Sequence, residues 1–484
     1  MKGWLNGELK KTFEAAREKA WTLGYASMNE ELIDSGPLKV EGSLPKDLRG
    51  VLYRNGPARH ERGQGRYTHM WDGDGMVQAF TFANGGISHR GRYVKTTKYA
   101  QESNTGRFEL SAFGSAIASH AEMTMDIDDM NVANINVCVH NEELLALWEP
   151  GSAYALSLDS LETRGIKTWD LTFGVRPFSA HPKVEPDGFL WNFGCDSIAQ
   201  TLHVYGIAAH GEVVIARQFH VDDLPPVHDF AVTRDHLVFV LSPLDIQLKR
   251  LAKGRPFGAA VSWMPGDPTR VLSIDKRTWT LRWHELPPMI FSHMGNAWED
   301  DSGVIRFDCV CGSDPRWMAH GWSLMRGDYQ HVQGAVMTRV ELRPDGGSHA
   351  HVIPEIEAEF PVVDPRSVGQ RHRAIACIRR SATRPATMPG WDSVASVGAD
   401  DLEPQSFAFG DDWMVEEHVY APDAARPGMP AKWLVGTALD LRAGCTVLSV
   451  FAADAIAAGP VAQVRLPYAL PLGLHGTFHP SASG

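Results

Sequence analysis

The sequence predicts an all-β protein, and three observations support this fold class. From about residue 38 onward, short runs of apolar and β-branched residues alternate with turn signals. A clear helical period is present only near the N-terminus. No segment repeats with the signature of a WD40 or kelch propeller. The pattern alone therefore leaves a barrel, a sandwich and a propeller open.

The N-terminal segment, residues 4–24, has the period of an amphipathic helix. Its apolar residues recur three or four positions apart: Leu5, Leu9, Phe13, Ala16 and Ala20. Such a helix either lies in a membrane interface or docks on the body of the protein. The modest apolar content of this helix favours docking.

Several strands can be placed by the turns between them. The runs VQAFTF (77–82) and ISHRGRYV (87–94) flank Asn84-Gly85-Gly86 and predict a hairpin. The runs LHVYGI and EVVIARQFHV flank His210-Gly211 in the same way. Near the C-terminus, KWLVGTALDL, CTVLSVFAA and VAQVRLP predict three successive strands. The segment Ser111–Met130 is the least strand-like internal stretch, and we expect a helical excursion there.

Composition and missing motifs narrow the function. The net charge is −12 and no basic run is present, which disfavours binding to nucleic acid. No run of about 20 apolar residues is present, and the N-terminus lacks the apolar region of a signal peptide. Six scattered cysteines form no CxxC pair and are interpreted as buried or incidental thiols. HExxH, GxSxG, Walker A and GxGxxG motifs are absent. A cytoplasmic protein fits these features best.

Four of the 21 histidines stand out by their surroundings. His181 lies in SAHPKV, His228 in VHDFAVT, His293 in FSHMGNAWED and His475 in LPLGLHGTFHP. Their separations of 47, 65 and 182 residues follow no local spacing rule. Spacing alone therefore does not identify any of them as a metal ligand.

In their order along the chain, these motifs resemble the iron-histidine motifs of the carotenoid cleavage oxygenases. Further segments resemble the same family: VEGSLPKDLRGVLYRNGP (40–57), WDGDGMVQAFTF (71–82), ANINVCVHNEELLALWEPGSAYALSLDSLET (133–163) and EAEFP (357–361). The resemblance implies a seven-bladed β-propeller with an axial iron under a cap of loops and helices. It divides the chain into an N-terminal helical extension, residues 1–37, and a single propeller catalytic domain, residues 38–484.

The resemblance also implies one Fe(II) ion per chain and no organic cofactor. The implied ligands are His181, His228, His293 and His475. Neutral imidazoles suit Fe(II), and four of them leave open positions for dioxygen. His479, four residues after His475, is expected outside the coordination sphere.

Three glutamates are implied to orient the iron ligands by accepting their second ring N–H. The implied pairs are Glu149 with His228, Glu359 with His293, and Glu417 with His475. His181 is left without a carboxylate partner. The alternative, that all three glutamates are solvated surface charges, is disfavoured because each lies in an apolar, strand-like context.

Two pocket residues depart from patterns found within the family. Phenolic-cleaving members carry a lysine before the first of these glutamates, whereas this chain carries Trp148. An indole offers an apolar wall with one N–H, which favours a polyene substrate, unless Trp148 is simply a core residue. Ile135 stands where many members carry a threonine beside the iron, and it narrows access to the metal.

We therefore predict a non-haem Fe(II) dioxygenase that uses O₂ to cleave a C=C double bond of a carotenoid or apocarotenoid into two carbonyl products. Its partners are a small apolar substrate and O₂. Cleavage of a phenolic stilbene or phenylpropene to aromatic aldehydes is the alternative. A metal-free propeller that serves as a binding scaffold is a more remote one. Peripheral membrane contact through the N-terminal helix or the cap stays open, and the oligomeric state is not predicted.

Overall fold

A computed structural model describes residues 7–32, 35–83, 85–117, 126–169, 177–423, 425–426 and 428–481. Within these residues lie five α-helices and 32 strands. The helices are α1 (Glu8–Ala15), α2 (Thr97–Thr105), α3 (Leu248–Leu251), α4 (Phe257–Ala260) and α5 (His320–Leu324). None of the helices in the described ranges has the length and apolar character needed to cross a bilayer.

The strands of the first half of the chain are mostly short. They are β1 (Val40–Gly42), β2 (Gly50–Arg59), β3 (Glu61–Arg62), β4 (Gly65–Arg66), β5 (Asp74–Ala83), β6 (Gly86–Tyr93), β7 (Asn136–His140) and β8 (Glu143–Leu147). They continue with β9 (Tyr154–Leu156), β10 (Thr163–Ile166), β11 (Lys183–Val184), β12 (Leu190–Asp196), β13 (Thr201–Ile207), β14 (Val213–His220), β15 (Phe230–Val232) and β16 (His236–Leu241).

The second half of the chain contains the longest strand, β24. Its strands are β17 (Leu244–Ile246), β18 (Val261–Trp263), β19 (Thr269–Asp275), β20 (Leu281–Leu286), β21 (Ile290–Glu299), β22 (Ile305–Gly312), β23 (Val336–Leu342) and β24 (Ser348–Val362). They end with β25 (Ala374–Arg379), β26 (Ser393–Gly398), β27 (Pro404–Ala408), β28 (Trp413–Ala421), β29 (Trp433–Asp440), β30 (Cys445–Ala452), β31 (Ala462–Arg465) and β32 (Gly476–Pro480).

The sheets are antiparallel, and most strands pair with a strand that is next to them in the chain. Four sheets have four strands each, in the orders β32-β2-β5-β6, β10-β9-β8-β7, β11-β12-β13-β14 and β15-β16-β19-β20. A seven-stranded sheet runs from β21 to β27, and a five-stranded sheet has the order β1-β31-β30-β29-β28. Strands β3-β4 and β17-β18 form small ribbons. The last strand, β32, pairs with β2, so the two ends of the chain are joined in one sheet.

Of seven apolar clusters among the described residues, six lie between successive sheets, and one joins strands β23 and β26 within the seven-stranded sheet. Members from the two sides include Val77 and Leu144, Leu145 and Tyr205, Phe193 and Phe239, Val238 and Phe307, Met337 and Ala395, Val394 and Leu434, and Val435 and Phe80. The last cluster packs the sheet that contains β28–β31 against the sheet that contains β2, β5 and β6. The last sheet in the chain therefore packs against the first, and the sheets form a closed circle. Because each sheet is covered on both faces, strands such as β16 are apolar on both sides.

The hairpin predicted at 77–94 is confirmed. Strands β5 and β6 pair with Phe82 opposite Ile87. Gly85 adopts a φ of 74°, a conformation that glycine reaches without steric cost. Asn84 lies outside the described residues. The strands expected on either side of His210-Gly211 are likewise present as β13 and β14.

The N-terminal helix is shorter than the sequence predicts, and it docks on the protein. Helix α1 ends at Ala15, and the chain continues into a short 3₁₀ helix, Ala20–Tyr25. The side chain of Phe13 is fully buried, with the guanidinium of Arg66 stacked 3.4 Å from its ring centroid. Trp21 joins the same apolar cluster, which requires the chain to bend after α1. Leu5 lies outside the described residues.

The helical excursion expected at Ser111–Met130 is wrong for the described part of that segment. Residues 118–125 are not described, residues 111–117 contain no helix, and only a 3₁₀ turn forms at Ile127–Met130. The carboxylate of Asp72 accepts hydrogen bonds from the Gly114 N–H (2.8 Å) and the Ser115 hydroxyl (2.6 Å), which holds this segment as a loop. The helix lies earlier, at α2, where the Thr96 side chain caps it by accepting from the Tyr99 N–H.

Candidate metal centre

The four selected histidines lie on or beside the edge strands of four different sheets. His181 precedes β11, His228 precedes β15, His293 lies on β21, and His475 directly precedes β32. Each of these strands is at one edge of its sheet, and the four edges face a common centre. This arrangement explains why the histidines are 47 to 182 residues apart in the chain.

The Nε2 atoms of the four histidines converge. The His181 and His228 Nε2 atoms are 3.0 Å apart, and the His293 Nε2 lies 3.1 Å from those of His228 and His475. Of the four, His181 and His475 are buried, and the side chain of His228 is about one-third exposed (32%). The exposed edge of His228 indicates the side from which the centre is open.

Three of the histidines use their Nδ1 atoms to contact carboxylates. The distances are 2.9 Å from His228 to Glu149, 2.6 Å from His293 to Glu359, and 2.9 Å from His475 to Glu417. These are the pairs that the resemblance implied. Among the described residues, no carboxylate contact of His181 is present.

These contacts fix which ring nitrogen carries the proton. A carboxylate accepts, so each Nδ1 carries the hydrogen and donates it, and each Nε2 presents a lone pair to the centre. Three lone pairs that meet at about 3 Å repel one another, and a cation between them removes that repulsion. At a metal–nitrogen distance of about 2.1 Å, ligands at 90° are about 3.0 Å apart and tetrahedral ligands about 3.4 Å. The observed spacings of 3.0–3.1 Å therefore fit 90° positions, which leave further positions open.

Burial prepares two of the four histidines to act as neutral ligands. Desolvation holds the pKa values of His181 and His475 well below the usual histidine value, so both are unprotonated at neutral pH. Burial also lowers the pKa of His228, but the charge and hydrogen bond of Glu149 outweigh it and raise the net pKa. Burial raises the pKa of the Glu417 carboxyl to about 7. For Glu359 burial acts in the same direction, but the adjacent His293 outweighs it and the pKa is lowered.

The residue after Glu359 was not selected from the sequence. Phe360 has a φ of 52°, a strained conformation for a bulky side chain. Its ring stacks on His293 at 5.3 Å between centroids and lies 4.8 Å from the His475 ring. Strand β24 is irregular here, between Glu359 and Val362. Phe360 therefore packs against two of the converging histidines, beside the carboxylate that holds one of them.

A cavity of about 2370 Å³ opens onto three of the four histidines, His228, His293 and His475. It is several times larger than a common ligand pocket of about 300–1000 Å³. Ile135 and Trp148 both line it, as expected of pocket residues. The backbone carbonyl of Ile135 accepts from the His475 N–H at 3.3 Å, which places Ile135 beside the centre. Three aromatic side chains also line the cavity: Trp71, Phe113 and Trp322. The rings of Trp71 and Trp322 both pack against Phe113.

His479 lies apart from this centre. It is on β32 opposite Val51, and it is not among the residues that line the cavity. At about 3.3 Å per residue, four positions along a strand carry the chain about 13 Å away from His475, which places His479 outside the centre.

A family model supports what the motifs and the geometry indicate. The model described as RPE65, retinal pigment epithelial membrane protein, matches residues 25–480. The chain belongs to this family, the carotenoid cleavage oxygenases. Its relatives are named oxygenases and dioxygenases, which places the chain among the oxidoreductases that incorporate O₂.

The relatives of this chain are named for several different classes of substrate. The apocarotenoid-15,15'-oxygenase of Synechocystis is 26% identical over 95% of this chain and 96% of its own length. Lignostilbene-alpha,beta-dioxygenase isozyme III of Sphingomonas paucimobilis is 27% identical over 91% of this chain and 93% of its own. The isoeugenol monooxygenase of Pseudomonas nitroreducens is 27% identical over 92% and 94%.

Solved structures agree on the fold. The Synechocystis apocarotenoid oxygenase, in a variant form, superposes with a TM-score of 0.86 at 25% identity and covers 96% of this chain and 99% of that one. A cobalt-substituted form of the same oxygenase matches equally well, with a TM-score of 0.86 at 25% identity. The similarity therefore extends over nearly the whole of both chains.

Several side chains at the centre were missed by the sequence analysis. The Ser292 hydroxyl donates to Glu359 at 2.6 Å, and Phe360 packs on two histidines. A polar group of Tyr329, His331 and Glu357 also reaches the cavity. Glu357 could have been found, because it is two residues before Glu359 on the same strand and so shares its face. Tyr329 and His331 come from a loop whose path no local pattern specifies.

Proposed function

We propose that the chain is a non-haem Fe(II) dioxygenase that cleaves a C=C double bond of an apocarotenoid or related polyene into two carbonyl products. The observation that supports it most strongly is the set of Nε2–Nε2 contacts of 3.0–3.1 Å that joins His181 to His228, His228 to His293, and His293 to His475, with three of the rings held by carboxylates. The chemistry supplied by bound iron is the activation of O₂ toward a double bond held beside it. Cobalt substitution in the Synechocystis relative is consistent with a divalent-metal site.

The side chains of this protein have positioning roles in that proposal. Glu149, Glu359 and Glu417 keep the Nδ1 protons in place, so that the histidines present unprotonated Nε2 atoms. The cavity wall holds the substrate and excludes water. No side-chain general base is needed, because both oxygen atoms of O₂ end in the products.

The proposal includes the propeller architecture and the division of the chain. If the seven-stranded sheet is counted as two units that share β24, the chain contains seven units of about four strands. Their apolar clusters follow one another in a closed order, and β32 with β2 joins the first unit to the last. We infer seven blades around the histidines, a single catalytic domain at 38–484, and an extension at 1–37.

The size of the cavity supports a polyene substrate. Each buried CH₂-sized unit contributes about 0.8 kcal/mol, so a long apolar chain binds well without a polar anchor. The volume of about 2370 Å³ has room for such a chain. Trp148 adds an apolar wall directly before Glu149. A small phenol buries less surface and depends more on a partner for its hydroxyl.

Cleavage of a phenolic stilbene or phenylpropene is the second candidate, and one observation favours it. Tyr329, His331 and Glu357 place polar atoms in the cavity wall, where a phenolic hydroxyl could find a partner. The lignostilbene dioxygenase and isoeugenol monooxygenase relatives are as similar in sequence as the apocarotenoid oxygenase. Substrate comparison therefore has to decide between the two classes.

We expect kcat/KM to be at least about 10-fold higher for an apocarotenal than for 4-hydroxystilbene, because two additional buried CH₂-sized units already account for that ratio. Product identification by mass gives the bond that is cut. The variant Trp148→Phe, which keeps an apolar wall, serves as the control and should preserve the preference. A higher kcat/KM for 4-hydroxystilbene would show that the phenolic class is the correct one.

A further inference from the structure

The mainly apolar cavity contains a compact polar group on one wall, formed by Tyr329, His331 and Glu357. The Tyr329 hydroxyl and the His331 Nδ1 are 3.3 Å apart. The His331 Nε2 lies 3.2 Å from the Glu357 carboxylate, which also accepts from the Gly334 N–H at 2.9 Å. The three side chains thus lie in a row, with a hydrogen bond between Tyr329 and His331 and a nitrogen–oxygen contact of 3.2 Å between His331 and Glu357.

Strand β24 connects this polar group to the metal centre. Ile356 and Ala358 point into an apolar cluster within the seven-stranded sheet, whereas Glu357 and Glu359 face the cavity. Residues two apart on a strand are separated by about 6.6 Å. Glu359 holds His293, so Glu357 connects the polar group to the same cavity as the metal centre.

Two side chains near this polar group, Arg380 and His320, have other hydrogen-bond partners. The Arg380 guanidinium is buried and donates to the carbonyls of Met388, Gly390, Arg384 and Pro385. His320 contacts the Gln330 carbonyl at 3.1 Å, and its ring packs 4.7 Å from the Tyr329 ring. Arg380 is therefore committed to the backbone, and His320 supports the position of Tyr329.

The hydrogen bond to His331 leaves the phenol oxygen of Tyr329 able to bind a further group. If the His331 Nε2 carries the ring proton, then Nδ1 accepts from the Tyr329 O–H and the phenol oxygen can accept from a ligand. If the Nδ1 carries it, then Nδ1–H donates to the phenol oxygen, and the Tyr329 O–H is free to donate to a ligand. A hydroxyl group fits both cases, because it donates and accepts.

We propose that Tyr329, positioned by His331 and Glu357, binds a hydroxyl group at one end of an otherwise apolar substrate. This inference rests on the proposed function and specifies its substrate further. The hydroxyl belongs either to a terminal ring of a polyene or to a phenol, and its chemistry is shared by both. In either case the substrate enters the cavity in one orientation, which fixes the double bond that faces the histidines.

Binding and turnover of matched ligand pairs test this inference. The pairs are an apocarotenal with and without a ring hydroxyl, and 4-hydroxystilbene against stilbene. Binding is measured without O₂ by quenching of the tryptophan fluorescence of the cavity wall. In the native chain, the hydroxylated member of at least one pair should bind about 2- to 10-fold more tightly, the range expected for one neutral hydrogen bond. The pair that shows the difference identifies the source of the hydroxyl.

The variants Tyr329→Phe and His331→Leu should reduce that ratio to about 1, while the affinity for the non-hydroxylated member stays within about twofold. Tyr468→Phe is the matched control: its hydroxyl also contacts a histidine, His89 at 2.8 Å, but lies outside the cavity lining. This control should keep the native ratio. A purely structural role for His331 would weaken both members of a pair equally.

Two further outcomes separate this inference from the proposed function. Cleavage of polyenes or stilbenes with equal affinity for both members of every pair would overturn the hydroxyl subsite and leave the dioxygenase intact. Discrimination in binding that is lost in Tyr329→Phe, without cleavage of any ligand in the presence of iron and O₂, would support the subsite and contradict the dioxygenase.

Discussion

The variant His293→Ala is expected to lose its bound iron and at least about 100-fold of its turnover. His293 is central among the four histidines, because its Nε2 lies 3.1 Å from both His228 and His475. Removal of partners that only orient a ligand costs about 10–100-fold in affinity or activity, and loss of a ligand itself costs more. Iron per chain by elemental analysis and the cleavage rate check this result.

The variant also leaves the buried Glu359 carboxylate without the His293 N–H, which destabilises the fold. A thermal unfolding curve and the circular dichroism spectrum therefore accompany the metal analysis. His479→Ala is the matched control, because this histidine is close in sequence to His475 but outside the cavity. Full iron retention in folded His293→Ala, or iron loss in His479→Ala, would contradict the ligand assignment.

The motifs of the sequence were sufficient to select the residues of this centre but not to derive its geometry. Ligands 47 to 182 residues apart meet only because each lies at the edge of a different sheet, and no local period reports that arrangement. The resemblance to a family supplied the order of the motifs. The implied contacts between Glu149 and His228, Glu359 and His293, and Glu417 and His475 are then present at 2.6–2.9 Å.

The strands were better predicted than the helices. Strand pairs with glycine-containing turns, such as β5 with β6, follow from local sequence alone. The N-terminal helix was extended too far because burial of Phe13 and Trp21 on the protein body bends the chain after Ala15. The loop at 111–117 is held by Asp72, a residue about 40 positions earlier, and such long-range hydrogen bonds leave no local signal.

The variant Glu359→Gln is expected to weaken iron affinity by about 10–100-fold with the fold retained. Glu359 is buried and accepts from the His293 Nδ1–H and the Ser292 hydroxyl, both at 2.6 Å, and also from the Phe360 N–H at 3.1 Å. A carboxamide keeps one acceptor oxygen but loses the charge, and its NH₂ group must face a donor. His293 therefore loses both basicity and a fixed orientation. Competition with a chelator measures the affinity.

The three glutamates should not be equivalent. The side chain of Glu149 is 33% exposed, so water can replace part of its contact with His228, and Glu149→Gln should cost less than Glu359→Gln. The variant Glu299→Gln provides the matched control, because the Glu299 side chain is buried and accepts from the ring of His236 at 2.8 Å, a histidine outside the cavity lining. It should lower stability and leave the iron affinity of folded protein unchanged. Equal iron affinity in Glu359→Gln and the native chain would refute the orienting role.

The central claim is that four histidines hold one catalytic iron, and metal removal with reconstitution tests it most directly. The chain is stripped with a chelator, its metal content is measured, and Fe(II) is added back in steps under anaerobic conditions before O₂ and an apocarotenal are supplied. We predict that the stripped protein is inactive, that activity rises in proportion to bound iron, and that it saturates at one iron per chain. Full cleavage activity in protein stripped of metal, or saturation with iron without any cleavage of polyenes or stilbenes, would contradict the account.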